Sequence, residues 1–296
     1  MANCTSILSR IDVDQRLYFV ITFCILSLLA SLGNTIVLYL FIRYKRLRTS
    51  TNRFLVSLAI GDLLLGVVLA PVSIAQLLIP PHRQNCAVNI LGNFLTTLMA
   101  ISGVTLGCIA YDRYLHLKST ERYRQKMTRR KLNLMIILPW FTPLILLITK
   151  VFDATVNTVT VLVLMTSVYT VLLYSYSKLM MLVKNRIRRG DIPIDSVQVR
   201  NRNITNCIGW IVLVAIICTV PVFLNRVCLL IYLTSKKGWT VYEKWQPLIF
   251  AVSHTFFILN SCINPILYFW KHAGFRNRFK KMIRRKRKIK TYPSVN

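Results

Sequence analysis

Polar side chains stand deep inside stretches of this sequence that are otherwise apolar. Asp62 closes the segment 57–62 (SLAIGD), and Asn34 follows Gly33 within another apolar run. A carboxylate deep in a membrane span costs roughly 2.5–3.5 kcal/mol on insertion scales, and a buried amide needs hydrogen-bond partners. Such a carboxylate therefore either has a functional role or is a neutral acid satisfied by neighbouring hydroxyls and amides.

The segment 91–117 carries a second group of this kind, because it ends in Asp112-Arg113-Tyr114 after about one bilayer thickness of apolar residues. Spacings of four and three residues place side chains on one face of a helix. Here that face consists of Leu95, Met99, Ser102, Leu106, Ile109 and Arg113. The face could connect a pocket at one end of the helix to a surface at the other. Alternatively, most of these side chains are core.

Two aspartates in apolar segments are also the pattern that an intramembrane aspartyl protease would use. Against that chemistry, the segment 59–62 (AIGD) lacks the additional glycine expected of such a motif. Asp112 also adjoins Arg113 at the water boundary, unlike a deep catalytic pair. The sequence therefore predicts no enzyme, and no inverted repeat or pair of broken helices indicates a transporter.

The elements that must position these residues are membrane-spanning helices. The chain has 296 residues, of which 54% are apolar, and its mean hydropathy is +0.51. Apolar runs near the length of a span recur seven times, and little sequence remains for a separate domain. We predict an all-α, single seven-transmembrane domain over residues 1–296 with a basic amphipathic surface helix after the last span. The predicted spans are 17–42, 54–79, 88–112, 132–149, 155–183, 204–233 and 245–270, and the surface helix is 274–286.

The formal net charge of +30 is distributed unevenly along the chain. Most Lys and Arg residues fall in alternate loops, which predicts a plasma-membrane protein with its amino terminus outside the cell and its carboxyl terminus in the cytoplasm. An anionic inner leaflet, rather than nucleic acid, is the partner that this distribution predicts. Asn3, in the tripeptide Asn3-Cys4-Thr5, is a predicted glycosylation site.

Short motifs on successive spans resemble those of the rhodopsin-like (class A) G-protein-coupled receptors. They are Gly33-Asn34, Leu58-Ala59-x-x-Asp62, Asp112-Arg113-Tyr114, Trp140, Cys218-x-x-Pro221, and Asn264-Pro265-x-x-Tyr268 followed by Phe275. The resemblance implies a receptor that transmits binding of an extracellular ligand to heterotrimeric G proteins by outward movement of helix 6. The segments 112–128 and 260–268 are similar to adenosine receptors. The brief link between helices 4 and 5 is similar to melanocortin, sphingolipid and cannabinoid receptors.

The resemblance also implies roles for individual residues. A sodium ion, acting as an allosteric modulator in a protein with no other cofactor, would be held by hard oxygen donors. These donors are Asp62, Ser102, Asn260 and Asn264, with Asn34 close by. Arg113 would leave Asp112 and meet two tyrosines as helix 6 swings outward. The implied switch residues are Asp112, Arg113, Tyr114, Tyr176, Pro221, Asn264, Pro265 and Tyr268.

Several positions depart from the family pattern. Thr219 replaces the usual tryptophan of helix 6, and Val168 replaces the usual proline of helix 5, with Gly103 and Ala215 as its expected packing partners. Asn201 stands where a family member can carry an acidic partner that locks the inactive state, which predicts elevated basal activity. Alternatively, these changes indicate a receptor-like protein that has lost signalling.

The disulfide that the family forms between helix 3 and the following outer loop lacks its loop cysteine. No Cys occurs between Cys108 and Cys207. Cys86 either pairs with Cys4 or Cys228 or stays free.

The resemblance places a ligand pocket at the outer ends of several helices. Leu95 stands where amine receptors carry Asp, and Ile258 stands where an opsin carries its retinal-binding lysine, so a monoamine and retinal are not expected. A lipid, a nucleoside-like molecule and a peptide are the alternatives. Arg226, His254 and Lys150 would suit an anionic or lipid headgroup, unless their side chains only extend to the interface. The expected pocket residues are Gln76, Leu95, Thr96, Met99, Val222, Phe223, Arg226, Phe250 and His254.

Overall fold

The structure is a computed structural model that describes residues 11–79, 91–92, 94, 97–118, 127–188, 196–235 and 240–290. Some residues singled out above lie outside the described ones: Asn3, Cys4, Cys86, Leu95 and Thr96. At three others the helix is described and the side chain is not: Met99, Arg113 and Asn201.

The secondary structure of the described residues is entirely helical. Two helices are interrupted: α2 consists of Ser50–Leu64, a π-helical turn at Leu65–Leu69, and Ala70–Leu78, whereas α4 consists of Arg129–Ile137, a 3₁₀ turn at Leu138–Phe141, and Thr142–Phe152. The continuous helices are α1 (Val13–Arg43), α3 (Met99–Lys118), α5 (Ala154–Arg188), α6 (Ser196–Thr234), α7 (Thr240–Lys271) and α8 (Ala273–Lys290).

Six of the described helices are long and apolar enough to cross a membrane, and α3 contributes a shorter apolar stretch at Ala100–Asp112. Helices are required there because a bilayer offers no water to satisfy backbone N–H and C=O groups. With α3 counted, these helices match the seven predicted spans, and α8 matches the predicted surface helix. The all-α prediction is confirmed.

The helices extend beyond the predicted apolar runs at several ends. For example, α3 continues to Lys118 and α6 begins at Ser196. Hydrophobicity identifies only the part of a helix that lies in hydrocarbon, and polar residues continue the same hydrogen-bond ladder into water.

The core of this bundle is largely apolar, as in a water-soluble protein, but its exterior is apolar too and its centre holds polar side chains. Large apolar side chains such as Leu28, Val163 and Ile217 are exposed on its outside, whereas Asn34 and Asp62 are completely buried. An apolar exterior around a polar centre is what a lipid environment favours.

The bundle closes because α7 packs against α1 and α6, α3 packs against α2 and α5, and α4 packs against α5. We call the end that carries Arg43, Asp112 and α8 the basic end, and the end that carries Lys150 and Arg226 the opposite end. At the basic end, α8 is anchored by the fully buried Phe275, whose ring lies 6.0 Å from that of Tyr268.

Candidate functional site

Asp62 on α2 is the centre of a buried polar cluster between α2, α3 and α7. Its side chain has no exposed surface. The hydroxyls of Ser102 and Ser261 donate hydrogen bonds to Oδ1 at 3.1 and 2.9 Å, and Asn264 Nδ2 donates to Oδ2 at 2.8 Å. Three donors pointing at one carboxyl group favour its charged form and offset part of the cost of burying it.

The same cluster holds amide oxygens for which the structure provides no donor. They are the Oδ1 atoms of Asn34, Asn260 and Asn264, all buried. Asn34 instead uses its Nδ2 group, which donates to the backbone oxygens of Ala30 and Ser261 at 2.9 and 3.1 Å. A buried acceptor without a donor is costly, and a carboxylate surrounded by spare oxygens is a donor set that suits a small hard cation.

The structure brings together most of the residues expected around Asp62. Ser102 and Asn264 contact its carboxyl group directly, and Asn260 is buried. Ser261 is a contact that the sequence reasoning missed. Ser261 and Asn264 are three residues apart and therefore lie on one face of α7. This spacing is the pattern from which the contact of Ser261 with Asp62 could have been predicted.

A cavity lies between α3, α4, α5, α6 and α7. It is on the side of the polar cluster that faces the opposite end of the bundle. Its empty volume is about 930 Å³, a figure that includes space open to solvent. Of the residues expected at a ligand pocket, Val222 and Arg226 line this cavity, whereas Gln76, Phe223, Phe250 and His254 are not among its lining residues. The cavity is therefore displaced toward α4 and α5, which contribute Leu146, Lys150, Asn157, Val161, Leu164, Met165, Val168, Tyr169 and Leu172.

Basic side chains gather at the mouth of the cavity. Lys150 and Arg226 line it, and Arg226 interacts electrostatically with both Lys150 and the buried His254. His254 also lies against Phe250, with 4.5 Å between ring centroids. The cavity floor reaches the polar cluster, because Ser102 and Asn260 line the cavity as well.

At the basic end, several of the predicted switch residues are held in packed positions. Asp112 and Tyr268 are fully buried, and Tyr114 packs edge-on against Tyr174 of α5 with 6.4 Å between centroids. Tyr176 lies directly against α6 at Gly209, where a Cβ atom would fall 2.8 Å from its ring carbons. Trp140 of α4 donates to Ser57 of α2 at 3.0 Å.

Comparison with known proteins points to one family. The model of the rhodopsin-family 7-transmembrane receptors matches residues 33–161, and the neuropeptide Y receptor type 2 of Sus scrofa is 24% identical over 302 residues, covering 90% of this chain and 76% of that receptor. The adenosine receptor A3 of Ovis aries is 35% identical over 133 residues, 43% of this chain and 40% of that receptor. Over these stretches the chain is similar to the rhodopsin-like (class A) G-protein-coupled receptors. It is a multi-pass membrane receptor and not an enzyme.

At the place in helix 6 where these receptors usually carry a bulky tryptophan, the chain has a hydrogen-bonded threonine, Thr219. The phenol of Tyr169 on α5 donates to the Thr219 hydroxyl, and that hydroxyl donates to the Ala215 carbonyl at 2.6 Å. Sequence reasoning identified the substitution but missed Tyr169. Val168, Gly103 and Ala215, the expected packing partners, all line the same cavity.

The receptor also joins α4 to α5 through one residue. Asp153 separates Phe152 from Ala154, and its Oδ1 accepts hydrogen bonds from the backbone N–H groups of Thr155 and Val156 at 2.7 and 2.9 Å. These backbone hydrogen bonds, Val156 first, hold the pKa of the Asp153 carboxyl below its ordinary value of 3.8. Cys228 carries a free thiol, and its two suggested partners lie outside the described residues.

Proposed function

We propose that this receptor binds an extracellular ligand in the cavity and passes that event to a heterotrimeric G protein by outward movement of the basic end of α6. The orientation that goes with this proposal has the amino terminus outside and the basic end in the cytoplasm. Its support is the positive-inside rule, because the basic loops adjoin that end.

The observation that carries the proposal is that Ser102, which donates to Asp62, also lines the cavity, together with Asn260, the neighbour of Ser261 along α7. A ligand that moves Ser102 changes the hydrogen bonding of Asp62, and Asp62 is bonded to Asn264 of α7. Two sites that share side chains can bias the same two-state element, which is the physical requirement for allostery.

The element that would move is α6, which contains Pro221 within its length. Proline removes a backbone hydrogen bond and creates a bending point. Ser253 of α7 donates to the Pro221 carbonyl at 3.2 Å, a contact that rotation of α6 would have to rearrange. In the proposed active state Tyr176 leaves Gly209, and Arg113 meets Tyr176 and Tyr268.

We also propose that sodium occupies the Asp62 cluster in the inactive state. Asp62, Ser102, Asn260 and Asn264 would hold the ion, and the ion would supply positive charge that compensates the buried carboxylate. The amide oxygens without donors support this assignment. In the part of the chain that the structure describes, no group of three His, Cys, Asp or Glu side chains could hold another metal.

The test is expression of the chain in cells with a panel of chimeric G proteins. We expect ligand-free second-messenger output above the background of untransfected cells, and we expect Arg113→Ala to abolish it at equal surface expression. Output that is identical in transfected and untransfected cells, and that stays so with a ligand library, would overturn the proposal.

The main rival is a receptor-like protein that no longer signals. Thr219, Gly103 and Val168 all depart from the family pattern around the cavity, and they motivate this alternative. The two relatives named above are receptors for a neuropeptide and for adenosine. Arg226 stands where adenosine receptors carry an asparagine on helix 6, which speaks against adenosine itself as the ligand.

A further inference from the structure

We propose that the cavity takes a single-chain lipid acid, with its anionic headgroup at Lys150 and Arg226 and its hydrocarbon chain between α3, α5 and α6. This inference rests on the proposed function, because it names the ligand class of the same cavity. Three features of the described residues support it: the charge at the mouth, the chemistry of the walls, and the depth of the floor.

The mouth of the cavity is positively charged. Lys150 and Arg226 line it within electrostatic range of each other. Four described carboxylates lie at the opposite end. Asp12 and Asp14 are at the start of α1, Asp153 accepts backbone hydrogen bonds at the start of α5, and Glu243 accepts from the Tyr232 hydroxyl at 2.5 Å. Two cations brought together in partly buried positions repel each other, and an anionic group placed between them would remove that cost.

The walls offer little hydrogen bonding to a polar ligand. Most of the polar lining side chains are already engaged within the protein, and the exception is Asn260 at the floor, whose buried Oδ1 has no donor among the described residues. Asn157 donates to the Leu146 carbonyl and to Thr149, Thr97 donates to Phe94, and Ser102 donates to Asp62. The other lining residues are largely aliphatic and include one phenylalanine: Ala100, Val104, Leu106, Val161, Leu164, Met165, Leu172, Val222 and Phe257. A nucleobase or a peptide needs polar contacts that this wall does not supply, whereas a hydrocarbon chain needs none.

The length of the cavity fits one lipid chain. Along α6 the lining runs from Arg226 to Ala215, about 16 Å at the rise of an α-helix. One leaflet of a bilayer has a hydrocarbon thickness of roughly 15 Å, which is the extent of a single acyl chain. The headgroup and the chain therefore fit between the cations and the floor at the same time.

The depth of the cavity comes from two small residues. A Cβ atom added at Gly103 would meet only Val168 Cγ1, at 3.9 Å, so the space beside α3 is open. Thr219 is much smaller than the tryptophan usual at its place, and Tyr169 holds it against α5. These two positions leave the lower cavity free for the end of the chain.

Access to the mouth is also unusual, because α4 and α5 are separated by Asp153 alone. This connection contributes no loop that could fold over the cavity. A lipid acid can therefore approach between the helix ends from the outer leaflet.

The test is equilibrium binding to the purified receptor in nanodiscs of zwitterionic lipid, with no G protein present. The probes are radiolabelled oleate and oleoyl lysophosphatidate as acids, and oleyl alcohol and monooleoylglycerol as neutral counterparts. We expect saturable binding of at least one of the two acids and only background binding of the neutral lipids. Comparing the two acids shows whether the site prefers a carboxylate or a phosphate headgroup. Arg226→Gln should weaken binding of the acid at least about tenfold, because a charge-assisted contact is lost.

The control variant is Lys244→Gln, an exposed cation at the same end of the bundle, which should bind the acid like the unmodified receptor. Arg226→Lys, which keeps the charge, should recover most of the binding and guards against a folding defect in Arg226→Gln. Equal binding of acids and neutral lipids, no saturable binding, or equal binding by Arg226→Gln and the unmodified receptor would overturn the inference.

Chain length provides an independent measurement. For a series of saturated acids, affinity should rise about fourfold per added methylene until the cavity is filled, and then level off. Thr219→Trp and, separately, Gly103→Leu should move that plateau to shorter acids. An unchanged plateau in both variants would show that the chain does not reach the floor. The binding assay needs no signalling, so the two proposals can fail separately. Binding of the acid without G-protein activation would contradict the proposed function and leave the ligand class intact. G-protein activation without binding of the acid would contradict the ligand class and leave the proposed function intact.

Discussion

At the scale of single residues, the most informative group is the Asp62 carboxyl. It is completely buried and accepts from Ser102, Ser261 and Asn264, and the amide oxygen of Asn264 lacks a donor, as do those of Asn34 and Asn260. The donors hold the carboxylate in place, and the amide oxygens without donors are the reason we propose a cation there. This combination explains why a residue that is costly in a membrane can be kept there.

Replacing Asp62 with Asn removes the charge and keeps the shape. We expect sodium to lower basal signalling or agonist affinity of the unmodified receptor, and we expect Asp62→Asn to abolish that dependence. Potassium at equal ionic strength is the control for general salt effects. Sodium-insensitive signalling by the unmodified receptor would refute the cation site.

Replacing Thr219 with Val removes the acceptor of the Tyr169 phenol. We expect the free energy of unfolding to fall by about 1 kcal/mol, a typical net value for one hydrogen bond. We also expect basal signalling to rise, because the hydrogen bond that joins α5 to α6 is lost. Melting of the purified receptor and second-messenger output check this. Thr170→Val, which loses only an exposed bond to its own helix, is the matched control. Identical behaviour of the two variants would contradict the role of Thr219.

At the scale of helices, the contact between α5 and α6 depends on the absence of a side chain at Gly209. Glycine normally weakens a helix by roughly 0.5–1 kcal/mol relative to alanine, so its presence in the middle of α6 indicates a close approach. Tyr176 supplies that approach, because its ring occupies the space that a Cβ atom would need. In the mechanism we propose, Tyr176 leaves this contact on activation.

Alanine at Gly209 should therefore displace Tyr176. We expect Gly209→Ala to lower the melting midpoint and to raise basal signalling, since the displaced tyrosine is available to Arg113. Gly107→Ala is the matched control, because a Cβ atom there would meet nothing within 4 Å and alanine should be neutral or stabilising. Adding Tyr176→Ala to Gly209→Ala should restore the melting midpoint. If Gly209→Ala stabilised the receptor, the close contact between Gly209 and Tyr176 would have no role.

The junction of α4 and α5 depends on Asp153. Because backbone N–H groups of Val156 and Thr155 lower the pKa of its carboxyl, its contribution to stability is present above the ordinary value of 3.8 and is lost as pH falls through the lowered pKa. We expect Asp153→Ala to melt below the unmodified receptor at neutral pH, and the difference to shrink in acid. Asp14→Ala, an exposed acid in the first turn of α1, is the control for general charge effects. A difference between Asp153→Ala and the unmodified receptor that stays constant with pH would contradict the capping role.

At the scale of the whole molecule, the seven-span bundle and the contacts of Asp62 with Ser102 and Asn264 were predictable from the sequence. Apolar runs must become helices in a bilayer, and a buried carboxylate must find partners. The position of the cavity was not predictable. The expected pocket included Gln76, Phe250 and His254, whereas the open space lies beside α4 and α5 because small residues at Gly103 and Thr219 leave it empty. Partners such as Tyr169 and Ser261 belong to common residue types, so only their placement reveals them.

Nucleotide exchange in a reconstituted system tests the central claim most directly. The purified receptor in nanodiscs is mixed with the G protein selected by the cellular panel, and the rate of guanine nucleotide exchange is compared with that of Arg113→Ala. We predict that the unmodified receptor accelerates exchange, and that Arg113→Ala, which melts at the same temperature, does not. Equal rates for the unmodified receptor, the Arg113→Ala variant and empty nanodiscs would contradict the account.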